Sequence, residues 1–152
     1  MSVNQTRAPW HLWAVGVLGA AWNSYGCYDY FMSKTRGDAH LVAAGMTPEQ
    51  IAYFHAMPAW TTAVWAVGVW GALLGSVLLL LRSRYAVPVF IASLVAFLLS
   101  LVYQYFVAPM PGSGGAMLAL QAVILVVCAF FVWDAMRARR LGWLGGPVLE
   151  SK

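Results

Sequence analysis

The sequence is short of charge. Nine Lys or Arg and five Asp or Glu make up 9% of 152 residues, where a soluble domain carries about a quarter. So few charges cannot clothe a water-facing surface of this size, which excludes an ordinary soluble globular domain. Cysteine is nearly missing as well. Cys27 and Cys128 are the two present, with no CxxC and no Cys/His cluster at zinc spacing, so a disulfide framework and a structural zinc site are excluded. Their depths along two helices differ by about 10 Å at the helical rise, too far for a disulfide. No alternating segments of the kind that build a membrane β-barrel occur. No internal repeat is visible, which argues against the repeat-built folds of most secondary transporters.

Long apolar runs are what the chain has instead. Hydrophobic residues make up 62% and the mean hydropathy is +0.72. A helix needs roughly 20 apolar residues to cross the hydrocarbon, and four stretches qualify: about 10–32, 58–81, 86–107 and 116–136. The expectation is an all-α, four-transmembrane-helix bundle, one integral membrane domain over 1–152. The first stretch loosely fits a signal peptide. However, Trp10 and Trp13 stand at its start and the apolar run continues well past Ala21, so a retained helix is expected.

The basic residues are sorted by loop. Arg7, Arg82, Arg84, Arg137, Arg139, Arg140 and Lys152 fall on one side of this arrangement, Lys34 and Arg36 on the other. The positive-inside rule puts both termini in the cytoplasm. The net charge of +4 is therefore read as topology, not nucleic-acid affinity. The expected partners are the lipid bilayer and either a membrane-protein subunit or a second copy.

Small residues mark where helices can approach. Gly19, Asn23 and Gly26 share one face of the first helix, and Gly68, Ala72 and Gly75 one face of the second, where Gly71 and Gly75 also form a GxxxG. Such stripes let backbones pack closely in lipid, where apolar burial gives no driving force. Gly19, Gly26, Gly68, Gly71 and Gly75 are the expected packing residues, between the first two helices or at a subunit contact. In the first external loop, Thr47, Pro48 and Gln50 read as a capping box opening a short surface helix.

The polar residues are one-sided. Asp29, Thr61, Thr62, Gln104 and Gln121 all fall in the outer half of the membrane, Asn23 lies near its middle, and several tyrosines lie at similar depth. Intramembrane polar groups are costly and usually face a cavity or the bundle interior. One reading is a polar, aromatic-lined vestibule with Asn23, Asp29, Tyr25, Thr62, Gln104 and Gln121 as ligand-binding residues. The other places Asp29 among headgroups beside Lys34, the tyrosines in an aromatic belt, and the amides between helices. His40 and His55 share the outer loop with Asp38 and Glu49, but no HxxxH or HExxH spacing supports a metal. Asp134 and Arg137 suit an i, i+3 pair at the helix exit. There is no nucleophile–base pair, phosphate-binding glycine loop or haem-type histidine spacing, so no catalytic residue, cofactor or metal is expected.

"AWNSYGCYDYFMSKTR" and "TPEQIAYFHAMPAWTTAVWAVGVWGALLGSVLLLLRSRYAVPVF" together resemble a family of small four-span bacterial inner-membrane proteins. Some of its members carry a sugar-transporter label. The resemblance implies the same span count and location. The functional expectation is a non-enzymatic membrane protein, an accessory or structural subunit packing against a larger complex or itself. The alternatives are a small-solute transporter or channel, for example for a sugar, acting as a homo-oligomer, and a lipid-directed membrane enzyme.

Overall fold

The computed structural model describes residues 7–145. Among these the chain is helical throughout, with no strand: α1 (Trp10–Thr35), α2 (Asp38–Ala43), α3 (Pro48–Ala56), α4 (Ala59–Leu80), α5 (Ala86–Val102), a π-helical turn (Tyr103–Val107) and α6 (Ala116–Arg140). Three helical stretches, Ala59–Leu80, Ala86–Val107 and Ala116–Arg140, are long and apolar enough to cross a membrane, which marks a multi-pass membrane protein. The helix expected over 10–32 forms as α1, 26 residues long. It carries the Asn23, Asp29 and Lys34 side chains and is not among those three.

Local chemistry sets the ends. Thr47 accepts from the Gln50 backbone N–H while the Gln50 side chain accepts from the Thr47 N–H, and Pro48 opens α3. This reciprocal cap satisfies two donors that the first helical turn leaves over. Pro58 is the residue before α4. The short link from α4 to α5 turns at Arg82, whose φ of 57° is unusual for a residue with a Cβ. Its Nε donates to the Trp143 carbonyl at 2.8 Å, tying this link to the segment after α6. The sequence predicts one unbroken helix to Val107, but the last turn is π-helical. The sequence reading also assigned the outer loop one helix, where there are two.

Packing runs in order: α1 on α4, α4 on α5, α5 on α6. The core sits at the end that carries the termini. Leu12, Leu79, Ala86, Val87, Phe90, Phe131, Ala135, Ala138 and Leu144 form one buried cluster, with Phe90 and Phe131 stacked at 5.4 Å and 7°. At the opposite end the helices part. In α6 the buried residues are Phe131, Asp134, Ala135 and Ala138, all in its second half; the first half buries none.

The glycines lie at contacts within the chain. A Cβ on Gly16 would meet Leu80 at 2.5 Å, and one on Gly19 would meet Phe131 at 2.7 Å and Ser76 at 3.0 Å. Gly26 is looser: a Cβ there would meet Val69 at 3.6 Å. The GxxxG of α4 turns toward α5, not toward α1: a Cβ on Gly75 would meet the Phe90 ring at 2.7 Å and one on Gly71 would meet Ser93 at 3.4 Å, while one on Gly68 would lie 3.9 Å from Ala96. α4 therefore uses Ala72 and Ser76 against α1 and the glycine stripe against α5.

Candidate functional site

Where the helices part, they enclose a cavity of about 590 Å³, within the roughly 300–1,000 Å³ typical of small-molecule sites. Asn23, Tyr25, Asp29, Thr62, Gln104 and Gln121 all line it. Periodicity brings them together. Ser93, Phe97, Ser100 and Gln104 descend one face of α5 and the π turn, and Met117, Gln121, Ile124 and Cys128 one face of α6, each set spaced three or four residues apart.

At the floor, Asn23 Nδ2 donates to the Ala72 carbonyl at 3.1 Å and to Ser76 Oγ at 2.9 Å. The Cys27 thiol reaches the Val69 carbonyl at 3.3 Å. These bonds join α1 to α4. Across the cavity, Gln121 Nε2 donates to Gln104 Oε1 at 2.9 Å, joining α6 to the π turn. Gln121 Oε1 is covered and unpartnered among the described residues. Ser93 donates to the Gly68 carbonyl at 2.6 Å and Ser100 to the Ala96 carbonyl at 3.1 Å, so the serines offer the cavity little. The walls are mostly apolar and aromatic.

At the mouth, the structure departs from the reading that places Asp29 beside Lys34. Asp29 does not lean on Lys34; its Oδ1 meets His40 Nε2 at 2.8 Å, which fastens α2 to α1. Lys34 instead donates to Thr62 Oγ1 at 3.2 Å. Tyr25 lines the cavity yet is 73% exposed, so it stands at the rim. The two outer-loop histidines take separate carboxylates: His55 pairs with Asp38 at 2.8 Å.

α3 forms a roof. Tyr53 donates its hydroxyl to the Ala108 carbonyl at 2.6 Å, and Gln50 Nε2 donates to the Pro111 carbonyl at 3.1 Å. Burial, and then the neighbouring Tyr103 phenol, push Tyr53 above the ordinary phenol range, which keeps it a donor. Aromatic rings link roof to wall, Phe54 to Trp65 at 6.4 Å, and wall to wall, Tyr30 to Trp65 at 4.9 Å and Trp60 to Tyr103 at 5.4 Å.

Several lining residues escaped the sequence reading: Lys34 as a cavity residue, Trp60 and Trp65, and Met46, Met57, Met110 and Met117. Ser93, Phe97 and Ser100 were legible, since the helical period places them on Gln104's face. The methionines carried no such signal, because three of the four lie outside the long helices.

The closed end departs from expectation too. Asp134 is 3% exposed and makes no ion pair with Arg137 among the described residues. The Arg137 guanidinium lies over the rings of Trp133 and Trp143, at 5.6 and 5.8 Å. Asp134 Oδ2 and His11 Nε2 are both buried without a partner among the described residues, and His11 packs edge-on to Trp143 at 5.3 Å.

Comparison of this chain with protein-family models, with curated proteins and with solved structures finds no match to any of them.

Proposed function

We propose that this chain is a four-span protein of the bacterial inner membrane, with α1 as the additional span and both termini cytoplasmic. We read it as a non-enzymatic binding protein whose cavity, in the outer half of the bilayer, holds a small ligand. One observation carries the reading: the six residues that the sequence offers as a vestibule all line one cavity of about 590 Å³. Interhelical bonding accounts for Asn23 and part of the glutamine pair. It does not account for the unfilled space between them. The basic residues before α1, in the α4–α5 link and after α6 support the orientation.

Native mass spectrometry of the full chain, extracted gently from its own membrane, tests this. A bound small molecule is expected, lost when Ile124→Trp fills the cavity. The second reading is an accessory subunit, favoured by the first half of α6, which buries no residue of its own. It predicts a stoichiometric foreign subunit in the same spectrum.

A further inference from the structure

If the cavity is a ligand site, its shape specifies how the ligand arrives. The way from the loop side is covered: α3 is bonded to the α5–α6 connection through Tyr53 and Gln50, and Met46, Phe54, Met57 and Met110 line the space. The way from the side is not. α1 and α6 approach each other at the end carrying the termini, through Gly19 against Phe131, but they do not pack along the cavity. Tyr25 of α1 and Leu120 of α6 both line the cavity while being 73% and 56% exposed. On the four-span reading, they flank an opening toward the hydrocarbon.

The dimensions match that route. From Met117 to Cys128 the lining of α6 spans eleven residues, about 16 Å at 1.5 Å per residue. Half of a hydrocarbon core of about 30 Å is nearly the same depth. The space is thus one leaflet deep, walled by Val64, Val69, Phe97, Leu120 and Ile124. Flexible methionine thioethers near the roof adapt to a mobile chain.

The rim carries charges of both signs. Lys34 uses one of its three donors on Thr62, leaving others for a phosphate. Asp29 gives Oδ1 to His40, and Oδ2 has no partner among the described residues. Gln104 also lines the cavity, and its Nε2 likewise has no partner among the described residues and can donate to an ester carbonyl.

We propose that the cavity takes one acyl chain of a phosphoethanolamine-headed lipid, admitted sideways between α1 and α6. The phosphate lies at Lys34, the amine at Asp29, and the chain end at the floor beside Asn23 and Cys128. This rests on the cavity being a ligand site.

The test uses the full chain in vesicles containing phosphatidylethanolamine with a diazirine at the end of one acyl chain. After irradiation, adducts are expected to concentrate on the lining residues Ile124 and Cys128 and around Asn23. Ile124→Trp should lower them by about tenfold or more, the loss that accompanies excluding two or so methylenes. Adducts on the outward-facing Val126 should not change. Should Ile124→Trp fail to fold, Leu120→Trp on the exposed rim serves the same purpose. Adducts spread evenly along α6 and unmoved by either variant would overturn the proposal. A diacylglycerol probe with the same diazirine should label the floor several-fold less; equal labelling would overturn the assignment of the head to Lys34 and Asp29. A charged, water-soluble methanethiosulfonate supplies the remaining distinction. If it modifies Cys128 while the lipid probe leaves the floor unlabelled, the ligand site survives as one for soluble molecules and the lipid proposal falls. If neither reagent reaches the floor, both fall.

Discussion

Gln121 on α6 donates its amide N–H to Gln104 Oε1 on the π turn at 2.9 Å. Among the described residues this is the one side-chain hydrogen bond that holds the first half of α6 to the rest of the bundle. Both glutamines line the cavity. The strength of that bond therefore governs both stability and access. Gln121→Leu is expected to cost about 0.6–2 kcal/mol, the range for interhelical bonds in membranes, and to raise the reactivity of Cys128. Thermal unfolding in detergent and thiol labelling together check this. Unchanged labelling would mean that α6 is held by something other than the glutamine pair.

Asn23 acts at the floor. Both of its amide hydrogens are used, on Ala72 and on Ser76, a residue that is 0% exposed. Asn23→Leu should destabilise the α1–α4 contact by about 1–3 kcal/mol, since polar groups are left with fewer partners. Asn23→Asp removes the donors while keeping the size, and should cost as much or more. Equal melting temperatures for wild type and both variants would contradict the assignment.

The glycines should separate into two groups. Gly75→Ala and Gly19→Ala would each drive a Cβ to 2.7 Å from an aromatic ring, Phe90 and Phe131, which are themselves stacked. Overpacking of this kind costs about 1–3 kcal/mol. Gly26→Ala and Gly68→Ala meet neighbours at 3.6 and 3.9 Å and should be tolerated. Melting temperatures of the four single variants decide the matter. A uniform response would show that these helices do not pack as described.

The two histidine–carboxylate pairs should also differ. His55 and Asp38 have side chains 65% and 58% exposed, and exposed pairs are worth little. His40 is 17% exposed in its side chain and clasps Asp29. His40→Ala should therefore speed hydrogen exchange in α2, and His55→Ala should not. The reverse order would place the anchor of the outer loop at Asp38 instead of Asp29.

Much of this architecture was legible because lipid leaves so few choices. Apolar length gave the helices over 58–81, 86–107 and 116–136 to within a few residues. Thr47, Pro48 and Gln50 gave the start of α3. Depth narrowed the search to residues of which Asn23, Asp29, Tyr25, Thr62, Gln104 and Gln121 share one cavity, while Tyr28, Tyr30 and Tyr105 at similar depth do not line it. Azimuth was harder. The period offered two faces of α4, and the GxxxG was read toward α1 or a partner, whereas Gly75 faces Phe90. The π turn was invisible, since nothing in Tyr103–Val107 distinguishes it from a continued α-helix. One of the two sequence readings sets Asp29 beside Lys34 because they are near in sequence. The partner of Asp29 came instead from α2, which the sequence reading had not separated from the loop.

The central claim is that the space between α1, α4, α5 and α6 is occupied in the native membrane. Native mass spectrometry of the wild-type chain and of Ile124→Trp, released from their own membrane under identical conditions, tests it most directly. The account predicts a small-molecule adduct on the wild type that the variant lacks. A bare wild-type mass, or an adduct that persists undiminished in the variant, would contradict it.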